Sequence, residues 1–168
     1  MMSTGKITLR PVLDSDEEFL LALYGSTREQ ELARVAWPRE HKEAFVRMQW
    51  QAQKQHYVHE HPRADHTVIS VDEVPVGRLY LDRSGQELHI LDITVLPQYR
   101  NRGTGSFLIA QIMAEAKQVG KPVTIFVETF NPSLRLFERL EFCKAEETGF
   151  HFLMRWPREQ VLSVNPDQ

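Results

Sequence analysis

Apolar positions along the chain alternate between two spacings, every second residue and every third or fourth, and the switches between them outline the elements. Ile7-Thr8-Leu9 ends at Arg10-Pro11, and Ser15 is followed three residues later by Glu18, before Phe19, Leu20 and Leu23. This order predicts a strand, a turn with a capping box, and a helix. The helix is expected to stop near Gly25, with Thr27 and Gln30 capping a second short helix through Leu32, Ala33 and Val35 until Trp37-Pro38 breaks it. From Arg39, apolar residues Ala44, Phe45, Met48 and Ala52 recur at helical spacing among charges and glutamines, predicting an amphipathic helix to about Tyr57.

After a polar break at Pro62–Asp65, the β-branched runs Thr67–Val71, Val74–Leu81 and Glu87–Leu96 are separated by Asp72-Glu73 and Ser84-Gly85. Such short connections predict an antiparallel meander of three strands. Beyond Pro97, a glycine-bearing loop leads into Leu108, Ile109, Ile112, Met113, Ala116 and Val119, a helical apolar face that ends at Gly120 and Pro122. Val123–Val127 reads as a strand, and strand, helix, strand in that order implies a parallel pair with a right-handed crossover. Asn131 and Pro132 open a short helix bearing Leu134, Leu136, Phe137 and Leu140, and Phe142–Glu146 with Phe150, Phe152, Met154 and Trp156 close the pattern as a hairpin around Thr148-Gly149. The expected class is therefore α/β with a mixed sheet: one domain over residues 1–157 and a polar tail over 158–168.

Composition narrows the partners. With 42% apolar and 26% charged residues in 168, the chain can repay conformational entropy by burial. Its 20 basic and 23 acidic side chains give a net charge of −3 with no lysine or arginine run, which disfavours general nucleic-acid binding. Cys143 is the one cysteine, excluding an internal disulfide framework and a thiolate zinc cluster, and a reducing, cytoplasmic compartment is expected. No secretion-signal pattern opens the chain and no apolar stretch could span a bilayer, so no membrane partner is expected.

The segment that carries chemistry runs from Ile93 through Ser106, I-T-V-L-P-Q-Y-R-N-R-G-T-G-S: a strand ending at proline, a loop with two spaced glycines, then a helix. Such a loop can point successive backbone N–H groups at one anion, where the helix N-terminus adds about half a positive charge. Two spaced glycines also serve as plain turn residues. Neither the third glycine of a dinucleotide loop nor the Gly-Lys-Ser/Thr of a nucleotide P-loop is present, so a nucleotide-binding module ranks last.

Strand, V-x-P, R-x-x-G-x-G, helix, strand, Asn-Pro helix and finally Leu-Phe-Glu-Arg-Leu-Glu-Phe together resemble the acetyl-CoA-binding core of the GNAT N-acetyltransferase superfamily. The opening Thr8-Leu9-Arg10-Pro11 with Asp14 is also similar to the start of many members, while the specific motifs lie within about Leu91–Phe142. The resemblance implies a central mixed sheet with helices on both faces, splayed at the cofactor strand, commonly at a β-bulge. It implies that the amides of Arg100, Asn101, Arg102, Gly103, Thr104 and Gly105, with Ser106 at the helix start, receive the CoA pyrophosphate. The backbones of Ile93 and Val95 would pair with the pantetheine arm as with another strand, and Asn131 and Phe137 would lie beside it. Asn131 also reads simply as a helix cap.

Transfer from a thioester to an amine needs a neutral amine, a place for the developing oxyanion and a proton for the departing sulfur. An alkylammonium of pKa about 10 must first lose a proton, so a base is required. Family members often place a carboxylate on the strand before the phosphate loop; this chain offers Glu87, His89 and Asp92 there. His89 is favoured because an imidazole of pKa about 6.5 is mostly neutral at pH 7; Asp92 lies on the other alternation of the strand. The plainer reading of His89 is a histidine packed on a sheet surface. Two positions depart from the family pattern: Phe137 stands where many members have a tyrosine that protonates the thiolate, and Glu141 where they have glycine. Ser133 or water is a candidate substitute for that acid, although a thiolate of pKa about 8.5 leaves with little assistance.

The expected activity is thus acetyl-CoA-dependent N-acetylation of a primary amine by direct attack in a ternary complex, with the oxyanion met by backbone N–H from the Val95 region. The alternative is a GNAT-like acyl-CoA-binding sensor or assembly module that no longer catalyses. Homodimers are common among relatives; the sequence does not reveal one. His56, His59, His61 and His66 crowd one stretch but fit no zinc spacing, so no metal is expected. The resemblance implies an acceptor pocket built from the Gly25–Pro38 segment and the Glu146–His151 hairpin, with Tyr24 and Trp37 as candidate walls, and Cys143 reads as a small core residue.

Overall fold

The computed structural model describes residues 5–158 of the chain. In order, these form strand β1 (Ile7–Pro11), a short 3-10 turn (Asp14–Asp16), helices α1 (Glu17–Ser26), α2 (Glu29–Ala33) and α3 (Arg39–Glu60), and strands β2 (Asp65–Val71), β3 (Val74–Asp82) and β4 (Leu88–Val95). A second 3-10 turn (Pro97–Tyr99), helix α4 (Thr104–Val119), strand β5 (Val123–Glu128), helix α5 (Leu134–Arg139) and strands β6 (Cys143–Thr148) and β7 (His151–Trp156) follow. The strands form a mixed seven-stranded sheet in the order β1-β2-β3-β4-β5-β7-β6. The β4–β5 ladder is parallel, whereas β1–β2, β5–β7 and β6–β7 are antiparallel. The expected tail lies outside the described residues apart from Arg158. By their packing the described residues divide into two compact units, one comprising residues 5–80 with Ile93–Gly103, the other Leu81–Asp92 with residues 104–158.

In the first unit, α1 and α3 bury Leu20, Tyr24 and Trp50, flanked by Val12, Phe19, Leu21 and Val46. The Trp50 indole N–H donates to Glu17 Oε1 at 2.8 Å, which satisfies the one polar atom of a ring only 1% exposed. Arg78 of β3, also buried, donates to Gln53 Oε1 at 2.7 Å and lies 4.9 Å from the Trp50 ring centroid. The entry to α1 differs from the Ser15–Glu18 capping box expected of the sequence. Asp16 Oδ2 accepts the Leu13 amide at 2.7 Å, and Arg10 grips both carboxylate oxygens at 2.8 Å. A charged acceptor held by a guanidinium makes stronger bonds than a serine hydroxyl could. Thr27 likewise caps no following helix: its hydroxyl donates backward to the Tyr24 carbonyl at the end of α1.

The β2–β3 turn is two residues long, and both Asp72 and Glu73 are left-handed, with φ of 50° and 69°. That conformation matches the twist of a tight hairpin. The Asp72 carboxylate accepts the Lys6 amide at 2.8 Å. In the second unit, Leu88, Ile90, Val123, Ile125 and Val127 from β4 and β5 are buried, as are Leu108, Ile109, Ile112 and Ala116 of α4. Helix α4 ends at Gly120, φ 68°, and the Lys121 amide returns to the Ala116 carbonyl at 3.0 Å, the pattern of a glycine-stopped helix.

Candidate active site

The loop after β4 is shaped by its backbone. Arg100 turns its Nε back to the Val95 carbonyl at 2.9 Å, and Arg102 lies 5.3 Å over the Tyr99 ring. Asn101 and Gly103 are both left-handed, φ 61° and 85°, and Thr104 then opens the 16-residue α4. Asparagine and glycine are the residues that tolerate this conformation most cheaply. Arg100, Asn101 and Arg102 are exposed, while Gly103, Gly105 and Ser106 are half-buried and Thr104 is buried. A Cβ built on Gly105 would meet Leu136 Cδ2 at 3.8 Å, an ordinary contact. The fold therefore has room for a side chain at position 105 and does not itself require a glycine there.

Upstream, Ile93 and Val95 are half-buried residues of β4. Gly77 of β3 lies against this end of the strand so closely that a Cβ would clash with the Thr94 carbonyl oxygen. The Leu96 amide donates to the Val76 carbonyl at 2.8 Å beside it. Gly77 escapes notice in sequence because it sits inside a β-branched run; only the close backbone approach marks it.

In the second unit the β4–β5 ladder pairs Leu88 with Val123, His89 with Thr124 and Ile90 with Ile125. His89 is half-buried, its Nδ1 2.8 Å from Thr124 Oγ1, and its ring meets Phe126 edge-on with centroids 5.6 Å apart. Thr124 and Phe126 were not candidates from the sequence, since the parallel register that aligns them with His89 cannot be read from one strand. Alternation along Val123–Val127 does place both on one face. Asp92 is half-buried in β4.

The turn into α5 is held by Asn131, whose Oδ1 accepts the Ser133 amide at 2.9 Å. Asn131 thus closes a local turn ahead of the helix, whereas the N-cap position expected of it falls on Ser133, with α5 beginning at Leu134. Phe137 is 2% exposed and packs edge-on against Phe142, centroids 5.3 Å apart. Cys143 is half-buried, with its Sγ 3.5 Å from the Arg155 carbonyl.

Of the candidate acceptor walls, Tyr24 is a core residue whose ring lies tilted at 44° to Trp50 with centroids 5.7 Å apart, whereas Trp37 is 44% exposed and meets Phe45 edge-on. Of the four histidines, His56 and His59 lie on α3, His61 just beyond it, and His66 of β2 stacks on Tyr80 at 4.2 Å. Burial raises the Tyr80 hydroxyl above its ordinary pKa, while the Arg10 hydrogen bonds hold Asp16 down at about 2.

Comparison with known proteins fits this geometry. The acetyltransferase (GNAT) family model matches residues 26–142. Among curated proteins, the chain is 28% identical over 87 residues to the uncharacterized N-acetyltransferase CgeE of Bacillus subtilis (strain 168), covering 49% of this chain and 34% of that protein. The chain thus spans about a third of the length of that relative. Among solved structures, PaiA N-acetyltransferase from Thermoplasma acidophilum in complex with coenzyme A is similar at TM-score 0.68 and 16% identity, covering 89% of this chain and 98% of that one. A GCN5-related N-acetyltransferase from Rhodopseudomonas palustris is similar at TM-score 0.65 and 21% identity, covering 92% and 96%. With a strand–loop–helix passage of the expected form, a mixed seven-stranded sheet and a family model matched over more than half its length, the chain belongs to the GNAT family of acetyltransferases.

Proposed function

We propose that this protein transfers an acetyl group from acetyl-CoA to a primary amine by direct attack in a ternary complex, residues 1–157 acting as one catalytic domain. The observation that carries the reading is the passage Arg100–Ser106. Two left-handed residues precede a long helix, and a Cβ at Gly105 would make only an ordinary contact with Leu136, so packing does not demand the glycine there. A bare main chain at a helix start suits a diphosphate, which needs N–H donors at close approach. The amides of Arg100 through Gly105, with Ser106, would hold it. The PaiA structure, solved with coenzyme A, supports the same ligand class.

Ile93 and Val95 would offer backbone groups to the pantetheine arm. Support comes from the ladders of β5: β7 pairs with all of Val123–Glu128, whereas the β4 ladder covers Val123–Ile125. Acetyl-CoA supplies an activated acyl carbon and a thiolate leaving group. The chain's own residues orient it and take the amine proton. His89 is the base in this reading, ahead of Asp92, and a backbone N–H near Val95 meets the carbonyl oxygen as charge develops. Asn131 would border the arm while holding the Ser133 amide, with Phe137 behind it filling the core beside Phe142. Ser133 or water would supply a proton to the departing sulfur, a small contribution because a thiol of pKa about 8.5 leaves with little assistance. The half-buried lone thiol of Cys143 accords with a reducing, cytoplasmic setting.

The test is calorimetric titration of acetyl-CoA into the protein and its Gly103→Val and Gly105→Val variants, followed by acceptor-dependent thiol release across a panel of amines. Loss of CoA binding in folded variants, with thiol release in the parent, is the expected result. Unchanged affinity in both variants would remove the phosphate loop from the proposal. Tight CoA binding with no thiol release for any amine would favour a sensor role, a reading to which the absence of a tyrosine at Phe137 lends weight.

A further inference from the structure

Gly77 is a buried residue of β3, and the first atom a side chain there would meet belongs to the backbone, the carbonyl oxygen of Thr94. The carbonyl carbon behind that oxygen lies farther off, 3.1 Å from the same point, as does Val95 Cα. The Thr94 C=O bond is therefore aimed into the space over Gly77. In a regular ladder carbonyls lie in the plane of the sheet and Cβ atoms stand off it, so this peptide has turned out of the ladder into room that only glycine leaves. Both segments belong to the first unit.

A planar trans peptide holds its C=O and the following N–H antiparallel. With the Thr94 carbonyl over Gly77, the Val95 N–H points away from β3. The next peptide is set the same way. Leu96 N–H donates to the Val76 carbonyl at 2.8 Å, so the Val95 C=O is also turned from β3, and there Arg100 Nε donates to it at 2.9 Å. Contacts on either side of Val95 thus fix its amide toward the edge of β4 remote from β3.

We propose that Gly77 is the positioning residue of the oxyanion donor: by leaving room for the Thr94 carbonyl, it aims the Val95 N–H at the acyl oxygen of the thioester. This rests on the proposed acetyl transfer. As the amine nitrogen bonds to the acyl carbon, the carbonyl π pair moves onto oxygen, where the Val95 N–H meets it. The pair then returns, the carbon–sulfur bond breaks with its electrons going to sulfur, and the nitrogen gives up its proton to the base. A donor serves this step only when it lies about 2.7–3.1 Å from the place the oxygen takes up in the transition state. A methyl at position 77 forces the Thr94 carbonyl aside, and the Val95 N–H swings with it because the peptide moves as one plane.

The experiment compares the parent with Gly77→Ala and with Asp16→Asn, a variant weakened by a change outside the site. Each is also made in the Glu141→Gly background, whose expected gain in stability supports the folding of Gly77→Ala. The probe is acetyl-CoA labelled with carbon-13 at the carbonyl, its bound resonance read by NMR. CoA affinity is measured by calorimetry, and kcat and KM with butylamine, phenethylamine and spermidine. Binding to the parent should move the carbonyl resonance downfield, as a hydrogen bond to its oxygen does. In Gly77→Ala that displacement should shrink and kcat should fall about ten- to a hundredfold, with KM and CoA affinity near parental. Asp16→Asn should keep the parental kcat and resonance.

A folded Gly77→Ala with parental kcat and resonance would overturn the assignment. An equal fall of kcat in Asp16→Asn, lost CoA affinity in Gly77→Ala, or failure of Gly77→Ala to fold in either background would mark a packing role and overturn it as well. A parent that releases thiol without displacing the resonance would remove the Val95 donor. A parent that releases no thiol with any amine would instead overturn the acetyl-transfer reading, and this inference with it.

Discussion

At the scale of single residues, Asp16 shows how one carboxylate can organise a chain reversal. It accepts two bonds from Arg10 and one from the Leu13 amide while only 8% exposed, and the Arg10 hydrogen bonds hold its pKa near 2 instead of the ordinary 3.8. A carboxyl whose folded pKa is depressed contributes stability above its unfolded pKa and loses it as pH falls through the folded one. The window is therefore from about 4 down to about 2. Because Arg10 is partly solvated, its side chain 41% exposed, the loss in Asp16→Asn is expected to be modest, about 1–2 kcal/mol at neutral pH. The gap between parent and variant should close as pH approaches 2; a constant gap in urea titrations from pH 7 to 2 would contradict it. Gly77 acts by absence: Gly77→Ala drives a methyl into the Thr94 carbonyl and should destabilise by about 1–3 kcal/mol, read as a lowered denaturation midpoint.

At the scale of elements, α5 ends in a left-handed cap built from an unfavourable residue. Glu141 has φ of 69°, the Phe142 amide returns to the Phe137 carbonyl at 2.9 Å, and the two phenylalanine rings close the motif. Glycine is the usual occupant of such a cap, and an L-residue there costs about 1–2 kcal/mol. The departure of Glu141 from the family pattern is therefore a local strain, which the hydrogen bond and the aromatic pair offset. Glu141→Gly is expected to raise stability by about 1 kcal/mol without altering CoA affinity. A variant no more stable than the parent would show the strain to be relieved elsewhere.

At the scale of the whole molecule, binding of CoA should stabilise the fold by mass action. At a hundred times its dissociation constant it adds about 2.7 kcal/mol, which for a domain of this size corresponds to a rise in melting temperature on the order of 5–10 °C. ATP and NAD, tested in parallel, should give no comparable shift; an equal response to them would point to a nucleotide-binding module instead. The described residues contain no helix long and apolar enough to cross a membrane.

The order and type of elements were legible from spacing alone, because period two and period three to four are properties of each strand or helix in isolation. The loop Arg100–Ser106 was legible for the same reason, its glycines and flanking elements lying next to one another in the chain. Local competition defeated the reading at Ser15 and Thr27, whose side-chain types suit a helix start but whose roles went to Asp16 and to the end of α1. What only the tertiary structure decided depends on register between separate strands: Thr124 beside His89, and Gly77 beneath the Thr94 carbonyl. A strand's own residues determine which side chains share its face, but the neighbour each one meets is set by pairing across the sheet, and no single segment encodes that.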